Sequence, residues 1–285
     1  MSRVYQIITD RIISQLEKGT VPWQRPWSKE GAWPKNLVSG KEYRGVNVFL
    51  LSAGGYTSPY WLTFKQAQDL GGSVNKGEHG SPVIFWKVNE REKESPEGET
   101  KTEKSMILRY YTVFNLSQMV LPEKHIPLAT KTELTFQPIE VCENVVAKMP
   151  QKPIIRHGEQ RAWYKPHADL VNMPKYGTFT IPEAYYSTLF HELTHSTGHF
   201  SRLNRSGITE LTHFGSTNYS KEELVAEMGA AFLCGHTGIE NHTIDNSASY
   251  NAGWLKKLRG DSKLVILAAA DAQKAADFVL GVKLT

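Results

Sequence analysis

The chain has 285 residues, of which 40% are hydrophobic and 22% charged, and its formal net charge is +4 at pH 7. This is the composition of a soluble, folded protein with one large domain or two ordinary ones. No apolar run approaches the roughly 20 residues that span a bilayer, so we expect no membrane partner.

The cysteines and the N-terminus bear on cellular location. Cys142 and Cys234 lie far apart in the sequence and in no metal-binding spacing, which suits a reducing compartment. The first residues form no uninterrupted apolar segment of the kind found in secretory signals. We therefore expect a cytoplasmic protein.

The two halves of the chain differ in charge. Residues 1–125 carry 17 basic and 13 acidic side chains, whereas residues 126–285 carry 16 of each. Six of the acids in the first half fall within residues 89–105. A basic, aromatic-rich first half beside a neutral second half predicts two domains with different partners. An ordinary solvated surface would give the same charge difference.

In the first half, apolar residues at helical spacing predict a helix over 4–18, which Gly19 ends. The segment that follows, 21–36, holds three tryptophans among prolines and cations and has no period. Such tryptophans can plug a core, or they can stack on unpaired bases while cations hold phosphates. Further patterns predict helices at 48–53 and 64–70, with Thr63 as N-cap of the second, and strands at 82–87 and 106–115 joined by a mobile loop, 89–105.

Residues 126–140 contain prolines and no period, which predicts a linker between domains at 1–125 and 141–285. The second domain is predicted to contain a helix at 139–148, strands at 163–165 and 169–173, and helices at 182–197, 220–231, 252–258 and 263–279. The fold class is therefore α+β with two domains.

The predicted helix over 182–197 carries the pattern His191-Glu192-Leu193-Thr194-His195. Positions four apart lie on one face of a helix, so both histidines can bind one metal ion. Glu192 can then take a proton from a water on that ion. Strands followed by a helix with this pattern are typical of zinc peptidases, in which an edge strand aligns an extended substrate.

A catalytic site of this kind needs a third protein ligand. Glu223 and Glu227 share a face of the helix over 220–231, and we favour Glu223 as the ligand. Glu227 would then hydrogen-bond a ligating histidine, or would replace Glu223 as the ligand. Alternatively, Glu223 only completes a capping box with Ser220. His199 is expected to line the cleft or support the ligands.

Several motifs together resemble the ArdC-type antirestriction proteins, and the resemblance covers nearly the whole chain. In the first half they are Trp23-Gln24-Arg25-Pro26-Trp27, Tyr43-Arg44-Gly45-Val46-Asn47, residues 58–67, Lys76-Gly77-Glu78-His79-Gly80 and Tyr110-Tyr111-Thr112-Val113-Phe114-Asn115. In the second half they are residues 191–199, Ser201-Arg202-Leu203 and residues 222–231.

The resemblance implies an N-terminal domain that binds single-stranded DNA and a C-terminal zincin-like metallopeptidase domain, in a plan similar to the Spartan proteases. It implies a role on mobile elements, where the protein would protect incoming plasmid DNA during conjugation. It also implies His191 and His195 as metal ligands and Glu192 as general base, with Glu223 as third ligand by similarity to gluzincins.

From these observations we expect Zn²⁺, or another divalent ion such as Mn²⁺, at the metal site of a peptidase. Its substrate would be a protein, such as a DNA-bound host restriction factor. For the DNA-binding domain we expect contacts to single-stranded DNA from aromatic and basic residues, namely Trp23, Arg25, Trp27, Arg44, Tyr60 and Lys65.

Two other functions remain open at this stage. The protein could coat single-stranded DNA without catalysis, with a metal that only stabilises the fold, although such a site needs no general base. A metal-dependent nuclease is disfavoured, because nuclease sites favour carboxylate-rich clusters that the sequence lacks.

Overall fold

The structure is a computed structural model that describes residues 3–24, 33–94, 100–127, 138–210, 217–241 and 248–282. The described residues of the first half form three helices and six strands: α1 (Arg3–Glu17), β1 (Lys35–Asn36), α2 (Val46–Ser52), β2 (Tyr60–Leu62), α3 (Phe64–Asp69), β3 (Ser73–Val74), β4 (Ser81–Glu94), β5 (Thr100–Asn115) and β6 (Met119–Val120). The predicted N-cap of α3 is confirmed. The Gln66 amide N–H donates to the Thr63 hydroxyl over 3.2 Å, and the Gln66 side chain accepts from the Thr63 N–H over 2.9 Å.

Strands of the first half form a four-stranded sheet in the order β1-β2-β5-β4, in which β1 and β2 are parallel and the other pairs antiparallel. The short strands β3 and β6 pair separately. Asn47 in α2 holds the edge strand β4, because its side chain exchanges two hydrogen bonds with the Ile84 backbone, at 2.9 and 2.8 Å.

The predicted mobile loop over 89–105 is wrong for most of its length. β4 and β5 stay in register from Ser81 opposite Val113 to Glu94 opposite Thr100, and only residues 95–99 lie outside the description. Ladder hydrogen bonds join backbones and need no apolar side chains.

The second half is mainly helical around a small sheet. It contains α4 (Pro138–Lys148), β7 (Ile154–His157), β8 (Trp163–Lys165), β9 (Leu170–Met173), α5 (Pro182–Ser196), α6 (Ser206–Thr209), α7 (Thr217–Thr237), α8 (Ala248–Gly260) and α9 (Leu264–Val279). Short 3-10 turns stand at 116–118, 123–125, 166–168 and 176–178. The sheet order is β7-β9-β8, so within the described residues β8 lies at an edge, antiparallel to β9.

Helices α5 and α7 pack closely at a point set by Gly229. A Cβ atom added there would lie 2.4 Å from Cγ2 of Thr194, a distance that real Cβ contacts do not show. α7 begins at Thr217, three residues before the predicted start, so Ser220 lies within the helix. The capping box of Ser220 and Glu223 is therefore not formed, which leaves the Glu223 side chain for another role.

One hydrophobic cluster runs through both halves of the chain. It includes Ile8 and Ile12 of α1, Phe49 of α2, and Phe232 and Ala269 of α7 and α9. The rings of Phe49 and Phe232 stack with centroids 4.8 Å apart. The α+β class with two domains is confirmed. The domain limits at 125 and 141 stay predictions, with α4 starting inside the expected linker and residues 128–137 outside the description.

Two further predictions concern membrane-spanning segments and the cysteine thiols. Among the helices in the described part of the chain, none is both long and apolar enough to cross a membrane. Cys142 and Cys234 are buried free thiols in the main cluster.

Candidate metal centre

Helix α5 brings the two histidines of the His-Glu-x-x-His pattern together. His191 and His195 are one turn apart, and their Nε2 atoms lie 3.2 Å from one another. The rings meet nearly edge to face, with centroids 4.8 Å apart. Two imidazole nitrogens that approach one another directly in this way can bind the same cation.

Helix α7 adds a carboxylate to the pair. The Glu223 oxygens lie 3.8 Å from Nε2 of His191 and 3.7 Å from Nε2 of His195. One ligand atom from each of the three residues lies within 4.8 Å of the others. The structure therefore brings together the three residues that the sequence analysis favoured as ligands.

The separations can be compared with those of a tetrahedral site. Zinc–nitrogen bonds of about 2.0–2.1 Å at tetrahedral angles place two ligand atoms about 3.3 Å apart. The Nε2–Nε2 separation of 3.2 Å matches this value. The distances from the histidine nitrogens to the Glu223 oxygens, 3.7 and 3.8 Å, exceed it by about 0.5 Å. Two nitrogens and one carboxylate also form a donor set suited to zinc and its neighbours.

The His191 side chain is neutral at physiological pH. Burial, together with the neighbouring His195, lowers its pKa to about 3. Its Nδ1 atom is buried and makes no hydrogen bond to the described residues. A neutral imidazole presents a lone pair to a cation without first losing a proton, so His191 is prepared to bind a metal.

His195 is oriented by a carboxylate that the sequence analysis missed. Its Nδ1 lies 3.3 Å from Oε1 of Glu222, so an Nδ1–H donates to that oxygen and leaves the Nε2 lone pair facing Glu223. Burial by itself would lower the pKa of His195, but Glu222 and Glu223 raise it to about 8. A metal ion at Nε2 would therefore have to displace a proton.

Arg205 fixes Glu222 in turn. Its Nε and terminal nitrogen donate to the two carboxylate oxygens over 3.0 and 2.6 Å, and it also donates to the Thr194 carbonyl over 2.8 Å. Burial would raise the pKa of Glu222, but the bonds from His195 and Arg205 hold it below its usual value. Glu222 is thus an ionised buried carboxylate between a histidine and an arginine.

Glu192 lines the same cleft as the three candidate ligands. Its side chain is buried, and burial, with a contribution from the Glu223 charge, raises its pKa. The His195 charge and a hydrogen bond from the Tyr164 backbone N–H oppose that rise. The carboxylate therefore has increased proton affinity next to the candidate ligands, as a general base requires.

The cleft has a volume of about 600 Å³ and opens between β8 and α6. One wall is the edge strand with Trp163 and Tyr164, and the other is Gly207 to Glu210. The Tyr164 hydroxyl donates to Asp169 over 2.9 Å, and Arg202 is bonded to both residues. These bonds fix the edge strand beside the metal residues.

Glu227 does not have the role predicted for it. Its Oε2 accepts hydrogen bonds from the Trp23 indole N–H, at 2.9 Å, and from the Tyr250 hydroxyl, instead of contacting a histidine. Its partners are therefore Trp23, beyond the end of α1, and Tyr250 of α8. Burial raises its pKa to about 7. His199 is also apart from the ligand group, with Nδ1 2.8 Å from the Ser201 hydroxyl.

The prediction that Trp23 stacks on DNA is wrong for this structure. Its indole is fully buried, packs edge-on against Trp254 and donates to Glu227, so it plugs the core instead. Arg25 and Trp27 lie outside the described residues. The burial of Trp23 could not be predicted from the sequence, because this proline-rich segment has no helical or strand periodicity that would indicate which side chains face the core.

The remaining predicted DNA contacts are wholly or partly exposed. Arg44 is half-exposed and forms an ion pair with Asp277. Tyr60 is partly buried under the Lys35 ammonium group, 4.9 Å from its ring centroid. Lys65 is exposed on α3. Their role in DNA binding stays a prediction.

Comparison with known families divides the chain as its two halves do. Residues 2–114 match the N-terminal domain of the anti-restriction factor ArdC. Residues 141–271 match a family of zincin-like metallopeptidases. The second match contains all of the candidate metal ligands.

Individual relatives match nearly the whole chain. A DNA primase TraC of Escherichia coli is 37% identical over an alignment 296 positions long, which covers 97% of this chain but only 27% of the primase. The uncharacterized protein y4eC of Sinorhizobium fredii is 34% identical over 289 residues, covering 97% of this chain and 91% of y4eC.

Solved structures of the antirestriction ArdC protein from plasmid R388 are also similar, at 38% identity. The metal-free structure has a TM-score of 0.75 and covers 97% of this chain and 96% of ArdC. The Mn(II)-bound structure has a TM-score of 0.73, with coverage of 98% and 97%.

Proposed function

The chain belongs to the ArdC family of antirestriction proteins, and from that membership we propose that it is a DNA-associated metallopeptidase. One observation supports the peptidase part above all: His191, His195 and Glu223 converge beside the buried Glu192. A site that only stabilised the fold would need neither an open cleft of about 600 Å³ nor a carboxylate with raised pKa beside it.

His191, His195 and Glu223 would hold one divalent ion, Zn²⁺ or Mn²⁺. The Mn(II)-bound structure of the R388 relative supports a divalent ion. When bound, the ion polarises a carbonyl and makes water more acidic. Glu222 and Arg205 hold His195 in the orientation that keeps its Nε2 available, and Gly229 sets the separation of the two helices.

Glu192 would act as the general base and then as the acid. Its carboxylate takes a proton from the attacking water, and its raised pKa lets it pass that proton to the leaving amine. The edge strand β8 would pair with an extended peptide, because it lies at the edge of the sheet within the described residues and its Trp163 and Tyr164 line the cleft.

The first half would bind single-stranded DNA and so bring the peptidase to protein bound there. Substrates of this kind include host restriction factors on incoming plasmid DNA. A protein of this type would protect conjugating DNA by removing such factors. The basic, aromatic-rich composition of the first half supports the DNA part.

The test separates catalysis from coating by comparing Glu192→Gln with Glu210→Gln. Glu210 lines the same cleft but is outside the ligand group, so it is a matched carboxylate control. Each variant is measured for bound metal by elemental analysis and for cleavage of fluorescent casein with and without oligo-dT. Self-cleavage is followed by intact mass, and protection by plasmid transfer into restricting and non-restricting recipients.

We expect Glu192→Gln to keep about one ion per chain while losing cleavage and protection, and Glu210→Gln to behave as wild type. Retained protection by Glu192→Gln with metal bound would overturn the peptidase proposal in favour of a DNA-coating protein. His191→Ala is expected to lose the ion, and a wild-type protein that takes up no divalent ion would also reject the site.

A further inference from the structure

A second cleft, of about 450 Å³, lies in the first half of the chain. We call it the polar cleft. Its lining includes Asn36, Lys41, Tyr43, Arg44, Gln66 and Tyr111. The Asn36 and Gln66 amides hydrogen-bond one another over 3.0 Å and so form a rigid floor. Nothing in the metal site's chemistry uses this cleft.

Tyr43 is part of the wall of the polar cleft. Its side chain is buried in a cluster with Trp61 and Val83, and its hydroxyl lies next to the Asn36 and Tyr111 side chains. Because that hydroxyl is inaccessible to water, a ligand in the cleft would meet the side chains around it and not the hydroxyl itself.

The cleft continues onto one face of the long hairpin. Residues opposite one another in an antiparallel pair share a face, and Phe85 pairs with Arg109. Lys87 and Tyr111 lie two positions along and share that face. We call Phe85, Lys87, Arg109 and Tyr111 the stacking face. The Phe85 and Tyr111 rings touch, with centroids 5.6 Å apart, and both are exposed, by 42% and 37%.

The opposite face of the hairpin differs in character. It holds Ile84 and Leu108, which are buried in the main core, and then Trp86 and Tyr110, which are exposed. All four are apolar or aromatic. Among the hairpin side chains that the structure describes, those of the stacking face combine exposed aromatic rings with cations, and Tyr111 joins this face to the polar cleft.

Because the DNA function proposed above needs a surface, we propose that the stacking face and the polar cleft together bind single-stranded DNA, with one unpaired base in the cleft. This proposal rests on that proposed function. The seated base stacks on Tyr111, while its neighbour stacks on Phe85. Lys41, Lys87 and Arg109 contact the phosphates between them. Duplex DNA, whose bases are already stacked and paired, cannot fill the cleft.

The test measures the affinity of the full-length protein for a fluorescent 20-mer of dT, with a duplex of the same length as competitor. Tyr111→Ala and Phe85→Ala remove stacking partners. Tyr110→Ala is the matched control, since it is the adjacent tyrosine of the same strand on the opposite face and is 46% exposed. Thermal unfolding checks that each variant is folded.

We expect Tyr111→Ala to weaken binding by roughly 5- to 150-fold, the range for loss of one stacked base, and Tyr110→Ala to leave it unchanged. Lys41→Gln with Lys87→Gln should reduce the salt dependence of binding.

Two failures are distinguishable. If the wild-type protein does not bind the oligonucleotide, the DNA part of the proposed function fails. If it binds and Tyr111→Ala and Phe85→Ala bind equally well, or if Tyr110→Ala is as weak as they are, the stacking face is wrong while DNA binding stands.

Discussion

Glu222 and His195 form a buried hydrogen bond of 3.3 Å between Oε1 and Nδ1, while the next residue, Glu223, faces the other nitrogen of the same ring. Adjacent residues on a helix point about 100° apart. Two successive glutamates of α7 therefore serve one histidine from two sides, one holding the ring and one facing its free lone pair.

Loss of the Glu222 charge should affect both metal binding and stability. We expect Glu222→Gln to weaken metal binding by roughly 10- to 100-fold, as loss of such supporting partners does. It should also reduce the free energy of unfolding by about 3 kcal/mol, because Arg205 is left buried with its charge unpaired. Competition with a chromogenic chelator and urea unfolding measure the two effects. Glu240→Gln, at an exposed position, should change neither.

The Glu227 carboxyl should make the stability of the metal-free protein depend on pH. Burial raises its folded-state pKa from 4.5 to about 7. The group therefore contributes stability that is fully present below pH 4.5 and is lost as pH rises through 7. By pH 8 this group has lowered the free energy of unfolding by at most about 3 kcal/mol relative to its value below pH 4.5.

Glu227→Gln should remove that dependence, because an amide oxygen can still accept from Trp23 and Tyr250 and carries no charge. Urea unfolding of both proteins with chelator present, at pH 5 and pH 8, gives the comparison. We expect the free energy of unfolding of the variant to increase relative to that of the wild type as the pH rises. A stability difference that is the same at both pH values would contradict the raised pKa.

Gly229 should be required for the approach of α5 to α7. Gly229→Ala would place a methyl group 2.4 Å from Thr194 Cγ2, and we expect a loss of about 1–3 kcal/mol despite the better helix propensity of alanine. Metal binding should weaken as well, since the two helices carry the ligands. Adding Thr194→Ala should restore part of the loss.

Gly253 in α8 provides the control for helix propensity, because an added Cβ atom would meet nothing within 4 Å. Gly253→Ala should stabilise the protein by up to about 1 kcal/mol. If Gly229→Ala were equally stabilising in thermal unfolding, the close approach of the helices would be wrong.

The shared core predicts that the two halves unfold together. Phe49 stacks on Phe232 of the metal-bearing half, so Phe49→Ala should cost about 3–5 kcal/mol. Metal release and loss of helical circular dichroism should shift to the same lower urea concentration. Metal release that stays at the wild-type midpoint would show that the second half is stable by itself.

Local patterns predicted the elements that local chemistry decides. Thr63 ends up as the N-cap because its hydroxyl and Gln66 satisfy each other within four residues. The turn spacing of His191 and His195 likewise required only a helix to bring their rings together.

Properties set by tertiary packing were not predictable from the sequence. Whether Glu222, Glu223 or Glu227 faces α5 depends on the rotation of α7, which the contact at Gly229 sets. Trp23 is buried because a partner 204 positions away accepts its N–H. The hairpin beyond residue 88 pairs through its backbone, and charged side chains gave no sign of it.

The stacking of Phe49 on Phe232 also has a consequence for how the two halves can be transferred between genes. Either half, if separated from the other, would expose the apolar surface that the shared core now buries. Neither half alone is therefore expected to fold well after fusion to another protein. The two halves are thus expected to be gained or lost together when genes fuse. The match of 97% of this chain within one quarter of a much longer primase has the form expected of such a fusion.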